Sequence, residues 1–161
     1  MITQEDLVNG YAVNVRLIRM QTEGVSHEES LLTTPYRINT LNWVVGHIAT
    51  GRDRVLELVG ELPVFSQEAR ARYTTGSDPA LTGDPTVIRL EKLLEQLDTG
   101  QERIQRGILR LTPDDLKKQI QVGEHTLTIG KRLYGLYFHD TYHTGQTDLL
   151  RQVAGKNDSI I

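Results

Sequence analysis

The chain has 161 residues, a length that suits one domain with a single hydrophobic core. Hydrophobic residues make up 38% of it and charged residues 24%, which is typical of an ordinary globular protein and not of a disordered one. The net charge of −3 and the lack of a basic block argue against nucleic-acid binding, and no apolar run is long enough to cross a membrane. We therefore expect one domain over residues 1–161 that binds neither nucleic acid nor a membrane.

Cysteine is absent from the sequence. This excludes disulfides, zinc–thiolate sites and a cysteine nucleophile, so a metal site would have to use histidine, carboxylate or water. The first residues, MITQEDLVNGY, lack the charged start and apolar stretch of a signal peptide. We expect a cytoplasmic protein.

Two helices are predicted in the first part of the chain. Apolar residues at helical spacing predict the first helix from about Gln4 to Met20. The second is predicted from near Thr40, with Asn39 or Thr40 as its N-cap, to Val59. His27 lies between them in the polar run SHEES, and we expect it at the surface.

A long loop rich in proline and glycine is predicted from Glu61 to Asp84, with a short helix at Ser66–Tyr73. Loops of this length are often functional, so it either covers the entrance of a site or simply connects two helices. Asp84 is the predicted cap of a third helix over Pro85–Leu111, and a turn is predicted at 112–115.

The last part of the chain is predicted to begin with a β-hairpin. Alternating polar and apolar residues over Gln119–Thr128, with a turn at 123–124, predict two short strands and place His125 at the surface. Thr128 then caps a final helix that reaches about Ala154. Four helical patterns with apolar stripes predict an all-α fold, a four-helix bundle with this small β-hairpin before the last helix.

Two histidines lie four residues apart in the final helix, within FHDTYHTGQ. On one helical face His139 and His143 are about 6 Å apart, where two imidazoles can bind one metal ion. Leu136 and Leu150 continue the same face, which indicates that the pair points into the core. Such a pair also arises by chance, with each ring bonded to a carbonyl or a water. A third inward histidine would favour the metal.

His47 lies at the edge of the buried side of the second helix, and Gly46 and Gly51 would let a neighbouring helix approach closely. A lone histidine on such a face is usually a core residue with satisfied hydrogen bonds. Beside His139 and His143, it becomes the natural third ligand.

Four other side chains near these histidines have alternative interpretations. Gln146 either orients a ligand or a metal-bound water, or it is an amide that packs between helices. Asp140 stands where the H-E-x-x-H zinc peptidases have their glutamate base, but aspartate is shorter, which favours a supporting or surface carboxylate. Trp43 and Tyr142 are expected to pack, with Trp43 also a possible wall of a pocket.

Two segments, LNWVVGHIATGRDRVLEL and YFHDTYHTGQ, resemble the DinB/YfiT-like metalloprotein family. The family pattern is a histidine in the second helix and H-x-x-x-H-x-G-Q in the last. In this sequence the pattern falls on His47, His139, His143, Gly145 and Gln146. RYTTGSDP and LTPDDL are also similar to family features, and the resemblance covers nearly the whole chain.

This resemblance implies a four-helix bundle of unusual connectivity, a divalent metal held by His47, His139 and His143, and a homodimer. Family members include S-transferases that use bacillithiol, mycothiol or glutathione, and a maleylpyruvate isomerase. Three imidazoles leave a coordination position open, which is typical of catalytic sites. Zinc and nickel accept imidazole well, with iron or manganese as alternatives. The open position accommodates a water or the sulfur of a low-molecular-weight thiol.

Three functions remain open at this point. The favoured one is a metal-dependent enzyme that transfers a low-molecular-weight thiol to an electrophilic small molecule. The second is a metal-dependent hydrolase, which would cleave esters or amides without added thiol. The third is a metal-binding, stress-related protein without catalysis.

Overall fold

The computed structural model describes residues 3–158 and Ile160, so Met1, Ile2, Ser159 and Ile161 of the expected domain lie outside the described residues. The described chain is mostly helical, with a small hairpin before the last helix, as predicted. Its elements are α1 (Gln4–Thr22), a 3₁₀ turn (Glu29–Leu31), α2 (Leu41–Gly51), α3 (Asp53–Leu58), α4 (Gln67–Arg72), α5 (Leu90–Arg110), α6 (Pro113–Lys117), β1 (Gln119–Val122), β2 (His125–Thr128) and α7 (Ile129–Val153). Over the described residues, none of these helices is long and apolar enough to span a membrane.

Threonine side chains determine where several helices begin. Thr3, Thr40, Thr112 and Thr128 each precede a helix and accept a hydrogen bond from a backbone N–H of its first turn. The predicted caps at Thr40 and Thr128 are confirmed. α6 replaces the turn predicted at 112–115, because Thr112 and Asp115 bond to each other's backbone N–H and form a capping box.

The third predicted helix begins at Leu90, so its predicted start at Pro85 is wrong. Asp84 accepts hydrogen bonds from the backbone N–H and hydroxyl of Thr86, which closes a tight turn, and the β-branched residues that follow do not favour a helix. In place of the predicted cap, Nδ1 of His27 accepts a hydrogen bond from the N–H of Leu90 at 3.3 Å. His27, expected at the surface, is half-buried for this reason.

Arg52 interrupts the second predicted helix between α2 and α3, although its backbone stays close to helical angles (φ −66°, ψ −22°). Its guanidinium is buried and donates to the carbonyl of Tyr11 in α1 at 3.2 Å and to Oε1 of Gln101 in α5 at 3.1 Å. It also donates to both carboxylate oxygens of Asp140 in α7, at 2.8 and 3.1 Å. Asn14 of α1 donates to the same carboxylate at 2.8 Å. We call Asn14, Arg52, Gln101 and Asp140 the central polar layer.

The central polar layer separates two apolar clusters. One contains the later part of α1 together with α2, the first half of α5 and the end of α7. The other contains the first part of α1, α3, the second half of α5 and the first half of α7. Helices α1 and α2 each contact both α5 and α7, so the polar layer crosses the middle of the packed helices.

Replacing Asp140 with alanine would leave the guanidinium of Arg52 buried without its counter-charge. We expect the free energy of unfolding to fall by about 3–5 kcal/mol, measured by urea denaturation of the metal-free protein. The double variant Arg52→Met, Asp140→Leu should recover most of this loss, because both charges are removed together.

Asp148→Ala is the matched control, since Asp148 is partly exposed on the same helix and has no ion-pair partner within residues 3–158. Its effect should stay within about 0.5 kcal/mol. An equally small effect of Asp140→Ala would show that the buried ion pair does not hold the helices together.

Candidate metal centre

His47 of α2 lies beside His139 and His143 of α7, so the structure brings together the three histidines predicted as ligands. Their ring centroids are 5.1 Å (His47–His139), 4.7 Å (His47–His143) and 4.5 Å (His139–His143) apart. One ring nitrogen from each lies within 4.8 Å of the other two. His47 is buried and the other two rings are half-buried. This group could hold a metal ion.

The ring of His47 is held by a backbone carbonyl. Its Nδ1 lies 2.7 Å from the carbonyl oxygen of Tyr73, and because that oxygen can only accept, Nδ1 carries the proton. Nε2 of the neutral ring is then left with a lone pair, which is the form that binds a metal. This Nε2 lies 3.3 Å from Nε2 of His139.

The ring of His143 is held in the same way by Gln146. Nδ1 of His143 lies 2.7 Å from the amide oxygen Oε1 of Gln146, which again leaves Nε2 as the potential ligand. Gln146 therefore contacts a candidate metal ligand directly. The two interpretations from sequence, orienting a ligand or a water and packing between helices, did not include this hydrogen bond to His143. A role for Gln146 in orienting a substrate or a metal-bound water stays a prediction.

One pair of rings has the spacing expected for two ligands of a tetrahedral metal. Zinc–imidazole bonds of about 2.0–2.1 Å at tetrahedral angles place two ligand nitrogens about 3.3–3.4 Å apart. The 3.3 Å between the Nε2 atoms of His47 and His139 agrees with this spacing and is long for a hydrogen bond. The donor set of imidazoles, two of them fixed through Nδ1, therefore fits a divalent transition metal.

Tyr73, at the end of α4, links the long loop to the metal centre. Its side chain is fully buried, and its hydroxyl donates to Oδ1 of Asn42 at 3.1 Å and accepts from the N–H of Ile88 at 2.9 Å. Its ring lies against Gly46, where an added Cβ would come within 2.3 Å of ring carbons. The close approach predicted at Gly46 is thus made by a tyrosine ring and not by a neighbouring helix. Only one feature of the sequence indicated this contact, the glycine directly before His47.

Trp43 forms a wall of the centre. Its ring stacks on that of His47 with a centroid distance of 4.8 Å and an interplanar angle of 11°. Its Nε1 donates to Oγ of Ser77 at 2.9 Å, and only 4% of the residue is exposed. Both predictions for Trp43, packing and walling a pocket, are confirmed.

The histidines lie between two cavities, and His47 and His139 line both. The first, of about 470 Å³, is lined by Arg52, Arg54 and Arg70 among others, and we call it the arginine-side cavity. The second, of about 970 Å³, also reaches His143 and Gln146, and we call it the tryptophan-side cavity after Trp43. Its further lining includes Thr33, Thr34, Tyr36, Arg37, Ile38, Ser77, Pro79, Leu81 and Leu149. Residues of the long loop line each cavity, so the loop both connects two helices and borders the site.

Asp140 does not serve as the base of a peptidase-like site. Its carboxylate is only 4% exposed and is bound by Arg52 and Asn14 in the central polar layer. The interpretation of Asp140 as a surface carboxylate is therefore wrong. The site shares only the spacing of its two histidines with the H-E-x-x-H enzymes. Tyr142 is 61% exposed and packs edge-on against His143 at 5.1 Å, in line with the predicted packing role.

Burial keeps the buried rings of the centre neutral. The pKa of His139 is lowered to about 4, mainly by loss of solvent and in addition by the charges of His143, His47 and Arg54. Loss of solvent is also the main cause that lowers the pKa of His47. At neutral pH both rings are thus in the form that binds metal ions.

Comparisons with known proteins support the fold and leave the function open. No protein-family profile matches the chain, and no curated protein matches it in sequence. Its structure is similar to the crystal structure of a conserved protein from Enterococcus faecalis, with a TM-score of 0.76 over 96% of this chain and 98% of that chain. At 14% sequence identity, this similarity shows a shared fold alone.

Gly46→Ala should destabilise the protein, because the added methyl group would clash with the ring of Tyr73, which is fixed at its hydroxyl. We expect the free energy of unfolding to fall by about 1–3 kcal/mol. Displacement of Tyr73 should also disturb the orientation of His47 and weaken metal binding by about 10–100-fold.

Gly51→Ala is the control in the same helix, since a Cβ there would meet nothing within 4 Å. It should leave stability unchanged or raise it by up to about 1 kcal/mol. Equal effects of the two variants on thermal unfolding would contradict the proposed contact between Gly46 and Tyr73.

Acid should destabilise the metal-free protein partly through His139. The unfolded chain protonates histidine near pH about 6.5, whereas the folded protein protonates His139 only at about 4. The stability contributed by neutral His139 is therefore complete above pH about 6.5. It is lost progressively as the pH falls towards about 4, where the folded ring also takes up a proton.

The measurement compares the melting temperatures of wild type and His139→Gln from pH about 7.5 to about 4. The melting temperature of the wild type minus that of the variant should stay constant above pH about 6.5 and fall as the pH drops below it. His125→Gln, on the exposed hairpin, removes a histidine outside the cluster and should follow the wild-type curve. Parallel curves for wild type and His139→Gln would rule out this contribution.

Proposed function

We propose that this protein is a metal-dependent enzyme that transfers a low-molecular-weight thiol to an electrophilic small molecule. The observation that carries the proposal is the convergence of His47, His139 and His143, from two helices, at the meeting point of two cavities. One divalent metal would be held by these three rings. Zinc and nickel are preferred because both accept imidazole well, with iron and manganese as alternatives.

We further propose that the chain is a single DinB/YfiT-like domain over residues 1–161, active in the cytoplasm as a homodimer. In this proposal α1, α2 with α3, α5 and α7 form the four-helix bundle of that family. The packing of α1 and α2 against both α5 and α7 supports the assignment, as does the clustering of the motif histidines.

The chemistry follows from the ring positions. A divalent cation bound there would lower the pKa of a thiol at its open coordination position and favour thiolate at neutral pH. Tyr73 and Gln146 keep Nε2 of His47 and His143 directed at one point. The sulfur would form a bond to the electrophilic carbon while the leaving group departs with its bonding electrons, and the thiol proton would pass to solvent.

The carboxylates of the cavities favour thiol transfer over hydrolysis. Attack by water usually needs a general base, whereas a thiolate is already a nucleophile. In the part of the chain that the structure describes, the carboxylates lining the cavities are Asp140 and Glu57. Asp140 is paired with Arg52 at 2.8 Å, and Glu57 with Arg70 at 2.5 Å, so both of these carboxylates are already engaged by an arginine.

Metal binding is the first test, followed through the emission of Trp43, the only tryptophan, which stacks on His47. Zinc or nickel titration of metal-free protein should reach one equivalent, and the metal-loaded protein should consume thiol in the presence of an activated aryl chloride. His47→Ala, His139→Ala and His143→Ala should each lose the metal and the thiol transfer. Gln146→Ala should weaken metal binding by about 10–100-fold.

His125→Ala controls for loss of a histidine outside the site and should bind one equivalent as the wild type does. Unchanged metal content in His47→Ala would remove that residue from the ligand set. Ester hydrolysis without thiol, lost in His143→Ala, would replace the proposal with the hydrolase. Tight metal binding with neither reaction would favour the non-catalytic metal-binding protein.

A further inference from the structure

The arginine-side cavity has an unbalanced positive charge beside the histidines. Three arginines and two carboxylates are among the residues that line it. Arg52 is paired with Asp140 at 2.8 Å, and Arg70 with Glu57 at 2.5 Å. Arg54 is the arginine that remains, and its guanidinium has no hydrogen-bond or ion-pair partner among residues 3–158.

Arg54 lies in the first turn of α3, at an exposed position that small molecules can reach. It lines the same cavity as His47 and His139, and its positive charge contributes to lowering the pKa of both rings. A guanidinium with free N–H groups binds carboxylates through two parallel hydrogen bonds. A cation on the histidines would add to the positive potential and attract an anion further.

The tryptophan-side cavity has a different character. Its walls include Trp43, Pro79 and Leu149, and among the described residues no carboxylate lines it. Arg37 also lines this cavity. His47 and His139 line both cavities, so these two rings border two spaces of different chemical character.

We propose that the arginine-side cavity binds the carboxylate of a carboxylate-bearing thiol through Arg54, while the tryptophan-side cavity receives the electrophile. This inference rests on the proposed thiol transfer for the identity of the ligand, but the carboxylate site itself does not require any reaction. Arg54 is then a specificity residue, which selects acidic thiols over neutral ones. The volume of about 470 Å³ is in the range of small-molecule sites.

The test compares 3-mercaptopropionate, which carries a carboxylate, with 2-mercaptoethanol, which does not. Binding to the zinc-loaded protein is measured by calorimetry and by Trp43 emission. Arg54→Gln should weaken the binding of 3-mercaptopropionate by about 10–100-fold, as expected for a lost charge-assisted hydrogen bond, and leave 2-mercaptoethanol unchanged. Arg54→Lys keeps the positive charge but lacks the paired N–H groups of a guanidinium, so it should weaken the binding of 3-mercaptopropionate less than Arg54→Gln does.

Arg16→Gln is the matched control, because Arg16 is an exposed arginine of α1 outside both cavities. It should bind both thiols as the wild type does. An equal loss of both thiols in Arg54→Gln would indicate general damage to the site and overturn the proposal. A selective loss of 3-mercaptopropionate binding in Arg37→Gln would place the carboxylate in the tryptophan-side cavity and would also overturn the proposal.

Propionate, which has no sulfur, separates this inference from the proposed function. Arg54-dependent binding of propionate and 3-mercaptopropionate without transfer to any electrophile would support the carboxylate site and refute thiol transfer. Transfer from both thiols at rates that Arg54→Gln leaves unchanged would support the proposed function and refute the carboxylate site.

Discussion

One buried guanidinium connects all the long helices of this protein. Arg52 bonds to α1, α5 and α7 at once, and among residues 3–158 its charge is paired only with that of Asp140. A buried arginine costs several kcal/mol unless its counter-charge and acceptors are all in place, so other registers of α7 are strongly disfavoured. Rotating α7 by one residue would turn Asp140 by about 100° and carry His139 and His143 away from His47. The central polar layer thus determines the geometry of the candidate metal centre without contributing one of its three histidines.

The long loop over residues 61–84 orients the ring of His47, which the helices only bring close to the other two rings. Helices place the three rings close together, but a ring can still rotate, and the Nδ1 contacts decide which nitrogen faces the centre. For His47 this contact is the carbonyl of Tyr73, whose own position depends on Asn42 and on the missing side chain of Gly46. A loop for which the sequence left two roles open, covering a site or connecting two helices, therefore determines which nitrogen His47 presents.

Features that depend on residues close together in the sequence could be predicted, whereas contacts between residues distant in the sequence could not. The pairing of His139 with His143 follows from helical spacing, and the cap at Thr40 from the chemistry of the first turn. The start of α5 was missed because Asp84 before a proline suits a helix cap and a tight turn equally, and the true partner, His27, is remote. Arg52 was overlooked, since a charged residue within an amphipathic helix ordinarily faces solvent.

The hydrogen bonds of the centre explain why a cation suits it. The contacts of His47 and His143 through Nδ1 leave an unprotonated Nε2 on both rings, directed at the same small region. The third ring, His139, has at most one N–H to offer there, and it can satisfy only one of these two lone pairs. Protonating a ring instead is opposed by the lowered pKa of His139, about 4, to which loss of solvent contributes most. A divalent metal would accept the lone pairs of all three rings at once, so that no Nε2 would lack a partner and no ring would need a proton.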